Sequence, residues 1–345
     1  MLSRVGLHPG RHAHATPAHR QTAGCAAEGA AAHDSREFRM SDERELLDRT
    51  AELRGDADVI DRLRADPRTR VVAVREGRVR LDPEGQGAVV RVPVDAVDAA
   101  DWALLGRDAD GTPLLLASVA AEPDTIDAAP DESWFGLRDA GDRLAASEFE
   151  LFVTAIALGG WLAESRFCSS CGAQLELRQA GWSRWCAGCS REHFPRTDPA
   201  VIVAVESADG ERLLLGANAT WRGRMYSCFA GFVEAGESLE HTIHRELFEE
   251  AGVRLRSVRY VSSQPWPYPR SLMIGFRAVA VDDRTEADGE EIIDVRWLTR
   301  AEIGAALAGD GPVGLPGEAS IARRLIRDWY EERAGAGGGE RSTSR

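Results

Sequence analysis

The segment from residue 231 to residue 253, GFVEAGESLEHTIHRELFEEAGV, constrains the fold of this chain more than any other stretch. Ser238 is of a type that caps the start of a helix, and Gly252 is of a type that ends one. Between them, apolar residues recur at the spacing of a buried helix face: Leu239, Ile243 and Leu247. The pattern predicts an amphipathic helix that follows a glycine-containing loop.

Three glutamates share one side of that predicted helix. Glu246, Glu249 and Glu250 stand at positions i, i+3 and i+4, which fall within an arc of about 100°. Because they border the apolar stripe, water screens their mutual repulsion only in part, and hard divalent cations would stabilise them. A solvated acidic face is the alternative for three glutamates taken alone. Arg245 is placed to tie the helix to the preceding loop.

The whole segment is more specific than its three glutamates. It resembles the Nudix box, G-x5-E-x7-R-E-U-x-E-E-x-G-U, at every fixed position: Gly231, Glu237, Arg245, Glu246, Leu247, Glu249, Glu250, Gly252 and Val253. The resemblance implies an α/β/α sandwich with a mixed sheet that hydrolyses a nucleoside diphosphate linked to another moiety. It also implies that Glu246, Glu249 and Glu250 bind Mg²⁺ or Mn²⁺, with Arg245 and Glu237 as further catalytic residues. In this family a metal-bound water attacks phosphorus, and the cations neutralise charge on the leaving phosphate.

Two C-x2-C pairs, separated by fourteen residues, have close to the spacing of a zinc ribbon: Cys168, Cys171, Cys186 and Cys189. Each pair lets two thiolates reach one tetrahedral Zn²⁺, and two pairs fill its coordination shell, so the predicted site is structural. Two disulfides are disfavoured because nothing in the sequence indicates secretion, and a redox motif is disfavoured because there are two pairs. Cys25 and Cys228 remain as predicted free thiols.

The predicted ribbon, residues 165–196, is locally basic. Five arginines outnumber two glutamates there, with four aromatic rings among them: Arg166, Arg178, Arg184, Arg191, Arg196, Glu176, Glu192, Phe167, Trp182, Trp185 and Phe194. Basic residues interleaved with aromatic ones can hold a nucleotide or a single strand by stacking and charge. The arginines can equally neutralise a tetrathiolate zinc, which is itself negatively charged. The sequence leaves both interpretations open.

A proline-rich stretch, SQPWPYPRS at residues 263–271, is the third unusual segment. Its three prolines remove three backbone donors and fix three φ angles, so we expect neither an ordinary strand nor a helix there. A rigid strip of this kind can present Trp266 and Tyr268 to a flat base, with Gln264 and Ser271 as hydrogen-bonding groups. A docking ligand is disfavoured because P-x-P-x-P lacks the P-x-x-P spacing, and a purely structural loop is the remaining alternative.

The ribbon, the following stretch HFPRTDPAVI and SQPWPYPRS together resemble the NADH pyrophosphatase branch of the Nudix family, whose signature is SQPWPFPxS. Tyr268 replaces the phenylalanine of that signature. The resemblance covers roughly residues 165–333 and implies substrate contacts at ten positions: Phe194, Gln264, Pro265, Trp266, Pro267, Tyr268, Pro269, Arg270, Ser271 and Ala322. By the same resemblance Glu291 is a further metal-binding glutamate, and Ala230 offers its carbonyl oxygen to the metal.

Composition narrows the class of protein further. The chain of 345 residues has no lysine, so any cation that binds phosphate must be an arginine. A net charge of −14 disfavours binding to bulk nucleic acid or to an anionic membrane unless that charge is locally reversed. No apolar run approaches the roughly 20 residues of a membrane span, and FVTAIALGGWLA from Phe152 is predicted to be a buried helix. We expect a cytoplasmic protein that binds no membrane.

The sequence divides into five predicted regions. These are a disordered tail with five of the eight histidines (1–39), an α+β domain (40–164), the zinc ribbon (165–196), the Nudix domain (197–333) and a second disordered tail (334–345). In the α+β domain, VVAVREGRVRL and WALLGRDADGTPLLLASV predict hairpins, and a helical pattern runs from Leu137 to Ala163. In the Nudix domain, AVIVAVE and RLLLG predict strands joined by the turn SADGE, and a terminal helix is predicted near EASIARRLIRDWYEE.

The resemblance to the NADH pyrophosphatase branch implies an NAD(H) diphosphatase that cleaves the pyrophosphate of NADH or NAD⁺ to AMP and nicotinamide mononucleotide. We expect catalytic Mg²⁺ or Mn²⁺, a structural Zn²⁺ and a homodimer. The same chemistry on RNA with a 5′ NAD cap is implied by the resemblance, and the basic ribbon permits it. The alternatives are a Nudix hydrolase of ADP-ribose or another dinucleotide, and a non-catalytic NAD-sensing module. Degraded box glutamates would indicate the module, and here all of them are intact.

Overall fold

The computed structural model describes residues 47–82, 87–99, 101–119, 133–140, 143–221 and 224–334. The predicted tail at 1–39, Cys25 and the residues after Ala334 lie outside this part of the chain. Within it, three β-sheets follow one another along the sequence. The predicted domain boundaries fall between these sheets and stay predictions.

The first sheet has six strands: β1 (Arg70–Arg75), β2 (Arg78–Arg80), β3 (Val92–Pro93), β4 (Asp101–Arg107), β5 (Pro113–Ser118) and β6 (Trp134–Phe135). Their order is β4-β5-β1-β2-β6, with β3 beside β1. Both predicted hairpins are present, as the antiparallel pairs β1–β2 and β4–β5. Glu76 and Gly77 both have positive φ, as a tight two-residue hairpin turn requires.

Three helices accompany this sheet: α1 (Val59–Ala65), α2 (Leu137–Ala140) and α3 (Phe149–Glu164). Because side chains alternate along a strand, Val72 and Val74 of β1 pack with α3, whereas Val71 packs with Val59 of α1. Gly159 lets α3 approach closely, since a Cβ there would lie 2.7 Å from Cγ1 of Val74. Helix α3 is the buried helix expected at this point, although the predicted helical pattern is interrupted between α2 and α3.

The second sheet is the ribbon, with antiparallel strands β7 (Glu176–Arg178), β8 (Ser183–Cys186) and β9 (Arg191–His193). Two of its side chains attach it to the first sheet. Nε1 of Trp182 donates to the carbonyl of Leu104 at 2.7 Å. The buried guanidinium of Arg184 donates to Oδ2 of Asp101 at 3.0 Å and to the carbonyl of Leu162 at 2.8 Å. Trp182 and Arg184 thus join the ribbon to the first sheet. This packing role differs from the nucleotide binding and the zinc neutralisation that were considered from the sequence.

The third sheet is mixed and has six strands: β10 (Asp198–Glu206), β11 (Arg212–Asn218), β12 (Phe229–Phe232), β13 (Leu255–Trp266), β14 (Ser271–Ala280) and β15 (Ile292–Thr299). Their order is β13-β14-β10-β11-β15, with β12 beside β10 and with β10 parallel to β14. Three helices belong to this part: α4 (Leu239–Ala251), α5 (Arg300–Ala308) and α6 (Ile321–Ala334). The predicted strands β10 and β11 and the predicted terminal helix are therefore present.

Alternation along β10 builds the two hydrophobic cores of the third sheet. Val201 and Val203 pack with Ile243 and Leu247 of α4 on one face. Ile202 packs on the other face, in the core that contains α5 and α6. This confirms the predicted α/β/α sandwich with a mixed sheet. Among the helices in the described ranges, none combines the length and the apolar character needed to cross a bilayer.

The expectation for SQPWPYPRS was wrong in one respect. The stretch is the end of a regular hairpin, in which Pro265 pairs with Leu272 and Trp266 with Ser271, and only residues 267–270 form the turn. Strand β13 is at the edge of its sheet. A proline is tolerated there because its missing N–H can fall on the side that faces no neighbouring strand.

Candidate functional site

Helix α4 carries the box glutamates and has the predicted bounds. Oγ of Ser238 accepts a hydrogen bond from the backbone N–H of His241 at 3.2 Å, which caps the helix start. Gly252 adopts the left-handed conformation that ends it. With Ile243 and Leu247 buried against the sheet, the position of the carboxylates around the helix is fixed.

Glu237 and Arg245 form a paired contact that fixes the loop before the helix. Nε and Nη2 of Arg245 donate to the two carboxylate oxygens of Glu237 at 2.7 and 2.9 Å, and Nη2 also donates to the carbonyl of Phe232 at 3.1 Å. Thr242 and the backbone N–H of Glu234 donate to the same carboxylate. The Arg245 guanidinium lowers the pKa of Glu237 to about 2. This geometry favours a positioning role for both predicted catalytic residues.

Glu246, Glu249 and Glu250 line the same side of α4, as predicted. Nη1 of Arg245 donates to Glu246 at 2.9 Å and to Glu249 at 3.2 Å. Glu250 is only 5% exposed, and its Oε2 is buried without a hydrogen-bond partner among the described residues. Burial, followed by the negative charges of Glu246 and Glu291, raises the pKa of Glu250 to about 8. A buried, unpartnered carboxylate beside others is the arrangement that a bound cation stabilises.

Gly231 makes room for one of these carboxylates. A Cβ at this position would lie 1.9 Å from Oε1 of Glu246 and 2.0 Å from its Cδ. The box glycine is therefore required by the carboxylate itself. The neighbouring predicted ligand, Ala230, is half-buried in β12 and pairs with Ile202 of β10.

Glu291 lies just before β15 and is held by Asn218 and Asp288. Nδ2 of Asn218 donates to Oε1 of Glu291 at 3.3 Å, and Oδ1 of Asp288 accepts from the backbone N–H groups of Glu290, Glu291 and Ile292. Glu291 and Asp288 both contribute to the raised pKa of Glu250. The structure thus brings the predicted fourth carboxylate to the other three, and adds Asp288, which the sequence analysis missed because no box position marks it.

Phe232 was also missed by the sequence analysis. It is the last residue of β12, adjoins Gly231, and its side chain is 55% exposed. An exposed ring next to a carboxylate cluster is suited to stack on a base. The sequence did contain a hint of this role. Phe232 is an aromatic residue at a position of the box that any residue type may occupy.

The predicted aromatic strip packs on the first sheet. Trp266 and Tyr268 contact each other edge to face, with ring centroids 5.5 Å apart, and both are half-buried against the core below α3. The hydroxyl of Tyr268 accepts a hydrogen bond from the backbone N–H of Leu137. The guanidinium of Arg138 lies 5.8 Å from the Trp266 ring and 5.2 Å from the Tyr268 ring. The rings thus have a packing role here, whereas their contact with a base stays a prediction.

Other predicted substrate residues are engaged within the protein. The side-chain amide of Gln264 donates to the carbonyl of Ala319 and accepts from the N–H of Ile321, both at 2.8 Å, so it fixes the start of α6. Ser271 is buried at the start of β14. Ala322 is only 2% exposed, so its methyl group is in the core instead of on an accessible surface. A direct side-chain contact between Ala322 and substrate is not available in this arrangement.

Phe194 and the end of the strip share a cavity of about 290 Å³. Its walls come from α3, the ribbon and the β13–β14 turn, and include Phe194, Phe167, Pro269 and Arg270. Phe194 is 58% exposed, and Arg270 forms an ion pair with Asp198 at 2.9 Å. The box glutamates do not line this cavity. Of the predicted substrate residues, Phe194, Pro269 and Arg270 therefore gather in this cavity, apart from the box glutamates.

The four ribbon cysteines meet at one point. The sulfur atoms of these residues all lie within 4.8 Å of one another: Cys168, Cys171, Cys186 and Cys189. Among the described residues, no other group of His, Cys, Asp or Glu side chains has its potential metal ligands this close together. Sulfurs bound to one tetrahedral Zn²⁺ at about 2.3 Å would lie about 3.8 Å apart, which these positions fit. The backbone N–H of Ser170 holds the pKa of Cys168 down to about 5, and Nε2 of His193 lies 3.4 Å from the same sulfur. Cys228 is buried, as expected.

The carboxylate oxygens are more widely spaced than these sulfurs. They repel one another, and Nη1 of Arg245 draws Glu246 and Glu249 toward itself. The donor set is nevertheless all oxygen, which hard cations such as Mg²⁺ and Mn²⁺ prefer, and Glu250 keeps an unpartnered oxygen. The residue types present therefore fit a divalent cation, which would draw the carboxylate oxygens closer together than they are here.

Two domain families match this chain. The NUDIX domain matches residues 196–314, and the NADH pyrophosphatase zinc ribbon domain matches residues 163–194. A solved NUDIX hydrolase from Nitrosomonas europaea is 25% identical, with a TM-score of 0.38, and covers 52% of this chain and 96% of its own.

Curated relatives match over most of their length. The NAD-capped RNA hydrolase NudC of Mycobacterium bovis is 40% identical over 280 residues, which are 77% of this chain and 85% of that protein. The protein of the same name from Stutzerimonas stutzeri is 35% identical over 226 residues, which are 66% of this chain and 76% of that protein. With its cysteine ribbon and its complete box, this chain belongs to the NADH pyrophosphatase (NudC) family of Nudix hydrolases.

Proposed function

We propose that this protein hydrolyses the pyrophosphate bond of NADH and NAD⁺ to AMP and nicotinamide mononucleotide, and removes NAD caps from RNA 5′ ends. The observation that carries the proposal is the buried Oε2 of Glu250, unpartnered in the described structure and surrounded by other carboxylates. The NAD-capped RNA hydrolases that align with most of this chain support the choice of substrate.

Glu246, Glu249, Glu250 and Glu291, together with the carbonyl of Ala230, would hold Mg²⁺ or Mn²⁺. When bound, these cations supply Lewis-acid stabilisation of the negative charge that develops on the phosphates. The backbone positions of these carboxylates are fixed because α4 packs on the sheet and because Asn218 and Asp288 hold Glu291. Their preorganisation lowers the cost of bringing charged groups together during the reaction.

The remaining residues at the site position the substrate. Arg245 holds the loop before α4 through Glu237, so the main chain near Gly231 and Phe232 keeps a fixed distance from the carboxylates. The exposed ring of Phe232 offers one face to a base. Water then adds to one phosphorus atom, the bridging P–O bond breaks, and two monophosphates leave.

The four ribbon cysteines would hold a structural Zn²⁺, since four thiolates leave no coordination position open for substrate. A cytoplasmic location is part of the proposal, since a reducing compartment would keep the four clustered cysteines able to bind Zn²⁺. A homodimer is part of the proposal. The exposed side chain of Tyr260 on the edge strand β13 is the kind of surface that a second copy can cover.

A panel of substrates tests the proposed function. Purified protein with Mn²⁺ is incubated with NADH, NAD⁺, ADP-ribose and an NAD-capped RNA, and the products are separated by chromatography. The proposal predicts AMP and nicotinamide mononucleotide from the first two and a 5′-monophosphate RNA from the last. Preference for ADP-ribose would favour the alternative hydrolase. Binding of NAD⁺ without any product would favour the non-catalytic module.

A further inference from the structure

A second site is indicated by a cleft of about 590 Å³ between the segment that contains α1 and the loop that joins β7 to β8. We call it the arginine cleft, and its walls include Arg54, Arg64, Trp102, Leu177, Arg178 and Gly181. Its volume is in the range of cavities that bind ligands of nucleotide size. The proposed catalytic residues and the proline-rich strip do not contribute to its lining.

Each arginine of the cleft is stacked on a tryptophan ring. The distances from guanidinium carbon to ring centroid are 3.8 Å for Arg54 on Trp182, 4.7 Å for Arg64 on Trp102 and 4.7 Å for Arg178 on Trp185. Stacking fixes the plane of a guanidinium while its N–H edges stay available as donors. Fixed guanidinium planes can bind phosphate through their edges and a base through their open face.

Two of these arginines have positive charges that no carboxylate balances in the described structure. Four of the five ribbon arginines contact an oxygen of another residue through their side chains, whereas the Arg178 guanidinium has no ion pair or hydrogen bond to a described residue and stacks on Trp185. Arg54 forms no ion pair with a described residue, and its Nε is buried without a hydrogen bond. Burial, and then the positive charge of Arg49, lowers the pKa of Arg54. An anion in the cleft would compensate both charges.

The acidic residues that line the cleft do not compensate them. Asp56 is paired with Arg62 at 2.7 Å. Asp61 is largely exposed and lies 3.8 Å from Arg64, its neighbour one turn along α1. The two carboxylates therefore face other arginines, and the positive charge of Arg54 and Arg178 is left for a ligand. The chain as a whole has a net charge of −14, whereas the cleft presents unbalanced positive charge. Nucleic-acid binding to an acidic protein requires such a local change in the sign of the charge.

We infer that the arginine cleft binds single-stranded RNA, the part of an NAD-capped transcript that follows the cap. This inference rests on the proposed function. The edges of Arg54 and Arg178 bind phosphates, and unpaired bases stack on their exposed faces. Of the two interpretations of the basic ribbon, Arg178 thus fits nucleotide binding, whereas Arg184 and Trp182 serve packing.

Binding of an uncapped RNA tests the cleft separately from catalysis. A 3′-labelled single-stranded 12-mer with a 5′-hydroxyl is titrated with protein, and fluorescence anisotropy is followed from 50 to 200 mM salt. The double variant Arg54→Gln/Arg178→Gln should bind about 10- to 100-fold more weakly. The slope of its log binding constant against log salt concentration should correspond to about two fewer phosphate contacts. The control Arg68→Gln/Arg284→Gln removes two exposed arginines that pair with local aspartates, and should bind like the wild type.

Hydrolysis of free NADH, which has no RNA chain, should be unchanged in the cleft variant. Equal RNA binding by both double variants, or no RNA binding by the wild type, would overturn the inference. A protein that binds RNA through the cleft but does not hydrolyse NADH would contradict the proposed function alone.

Photocrosslinking covers the case in which the cleft variant does not fold. Wild-type protein is irradiated with 4-thiouridine RNA and the crosslinked peptides are identified by mass spectrometry. We expect peptides that contain residues 54–64 or 177–181. Crosslinks confined to other parts of the chain would overturn the inference.

Discussion

Gly231 shows how the position of one side chain depends on the absence of another. Gly231 is a fixed position of the box, so the resemblance to the box marks this glycine as required. Its physical role follows only from the structure, in which the carboxylate of Glu246 occupies the place of a Cβ. The contact joins two elements, β12 and α4, and no local propensity at either position encodes it.

Gly231→Ala should displace the Glu246 carboxylate without unfolding α4. A misplacement of about 1 Å in a catalytic group commonly lowers turnover about 100-fold. The control is Gly317→Ala, where no atom lies within 4 Å of the added Cβ and activity should be retained. Mn²⁺-dependent NADH hydrolysis and the melting temperature are measured for both variants. Full activity of Gly231→Ala would show that Glu246 does not need its observed position.

Glu237 gives a pH-dependent prediction. Its pKa falls from an ordinary 4.5 to about 2 in the folded protein. A carboxyl with a lowered folded-state pKa stabilises the fold above its unfolded pKa, and this contribution is lost as pH falls toward the folded value. Wild type should therefore be more stable than Glu237→Gln at pH 7, and the difference should vanish near pH 2.

Urea unfolding of zinc-containing protein without added Mg²⁺ or Mn²⁺, between pH 7 and pH 2, measures this difference. Glu240→Gln, at an exposed position of the same helix, is the control and should show little pH-dependent difference from wild type. A constant gap between wild type and Glu237→Gln at every pH would contradict the assignment of Glu237 as the partner of Arg245.

Single elements differ in how far the sequence determines them. Helix α4 has the predicted bounds because its cap, its apolar face and its terminal glycine all act locally. The proline-rich hairpin was not predicted as a strand, because its pairing depends on β13 lying at a sheet edge. The packing of Trp266 and Tyr268 against the first sheet depends on contacts with residues more than a hundred positions away, which no local pattern reveals.

Tyr268→Phe restores the family's usual residue but removes a hydrogen bond. The backbone N–H of Leu137 would lose the Tyr268 hydroxyl as its acceptor, at a cost of about 1 kcal/mol in unfolding free energy. Tyr260→Phe removes an exposed hydroxyl from the same hairpin and should be nearly neutral. Urea unfolding at pH 7 compares the two. Equal stability of both variants would mean that water replaces the lost hydroxyl without cost.

The ribbon should depend on its metal. Purified protein is expected to contain about one zinc per chain, and Cys186→Ser should lose both the zinc and the ribbon fold. Cys228→Ser changes a cysteine that is also buried but lies just before β12, in the core that contains α5 and α6, so it should keep the zinc. Elemental analysis of protein prepared without chelator measures the content. Equal zinc in all three proteins would place the metal elsewhere.

At the scale of the whole molecule, motifs predicted the ribbon and the Nudix sandwich but gave no role to the first sheet and its helices. The structure gives this region contacts with both other parts, through Leu104 with Trp182 of the ribbon and through Leu137 with Tyr268 of the hairpin. It also contributes Arg54 and Arg64 to the arginine cleft. None of these contacts follows from sequence spacing, since each joins residues that are distant along the chain.

The central claim is that the carboxylate cluster hydrolyses the pyrophosphate of NADH. The most direct test is product analysis of Glu250→Gln beside wild type, with NADH and Mn²⁺. Glutamine keeps the shape of the side chain and removes its charge, so turnover to AMP and nicotinamide mononucleotide should fall about 1,000-fold or more while the melting temperature is retained. Turnover within a few-fold of wild type would contradict the claim.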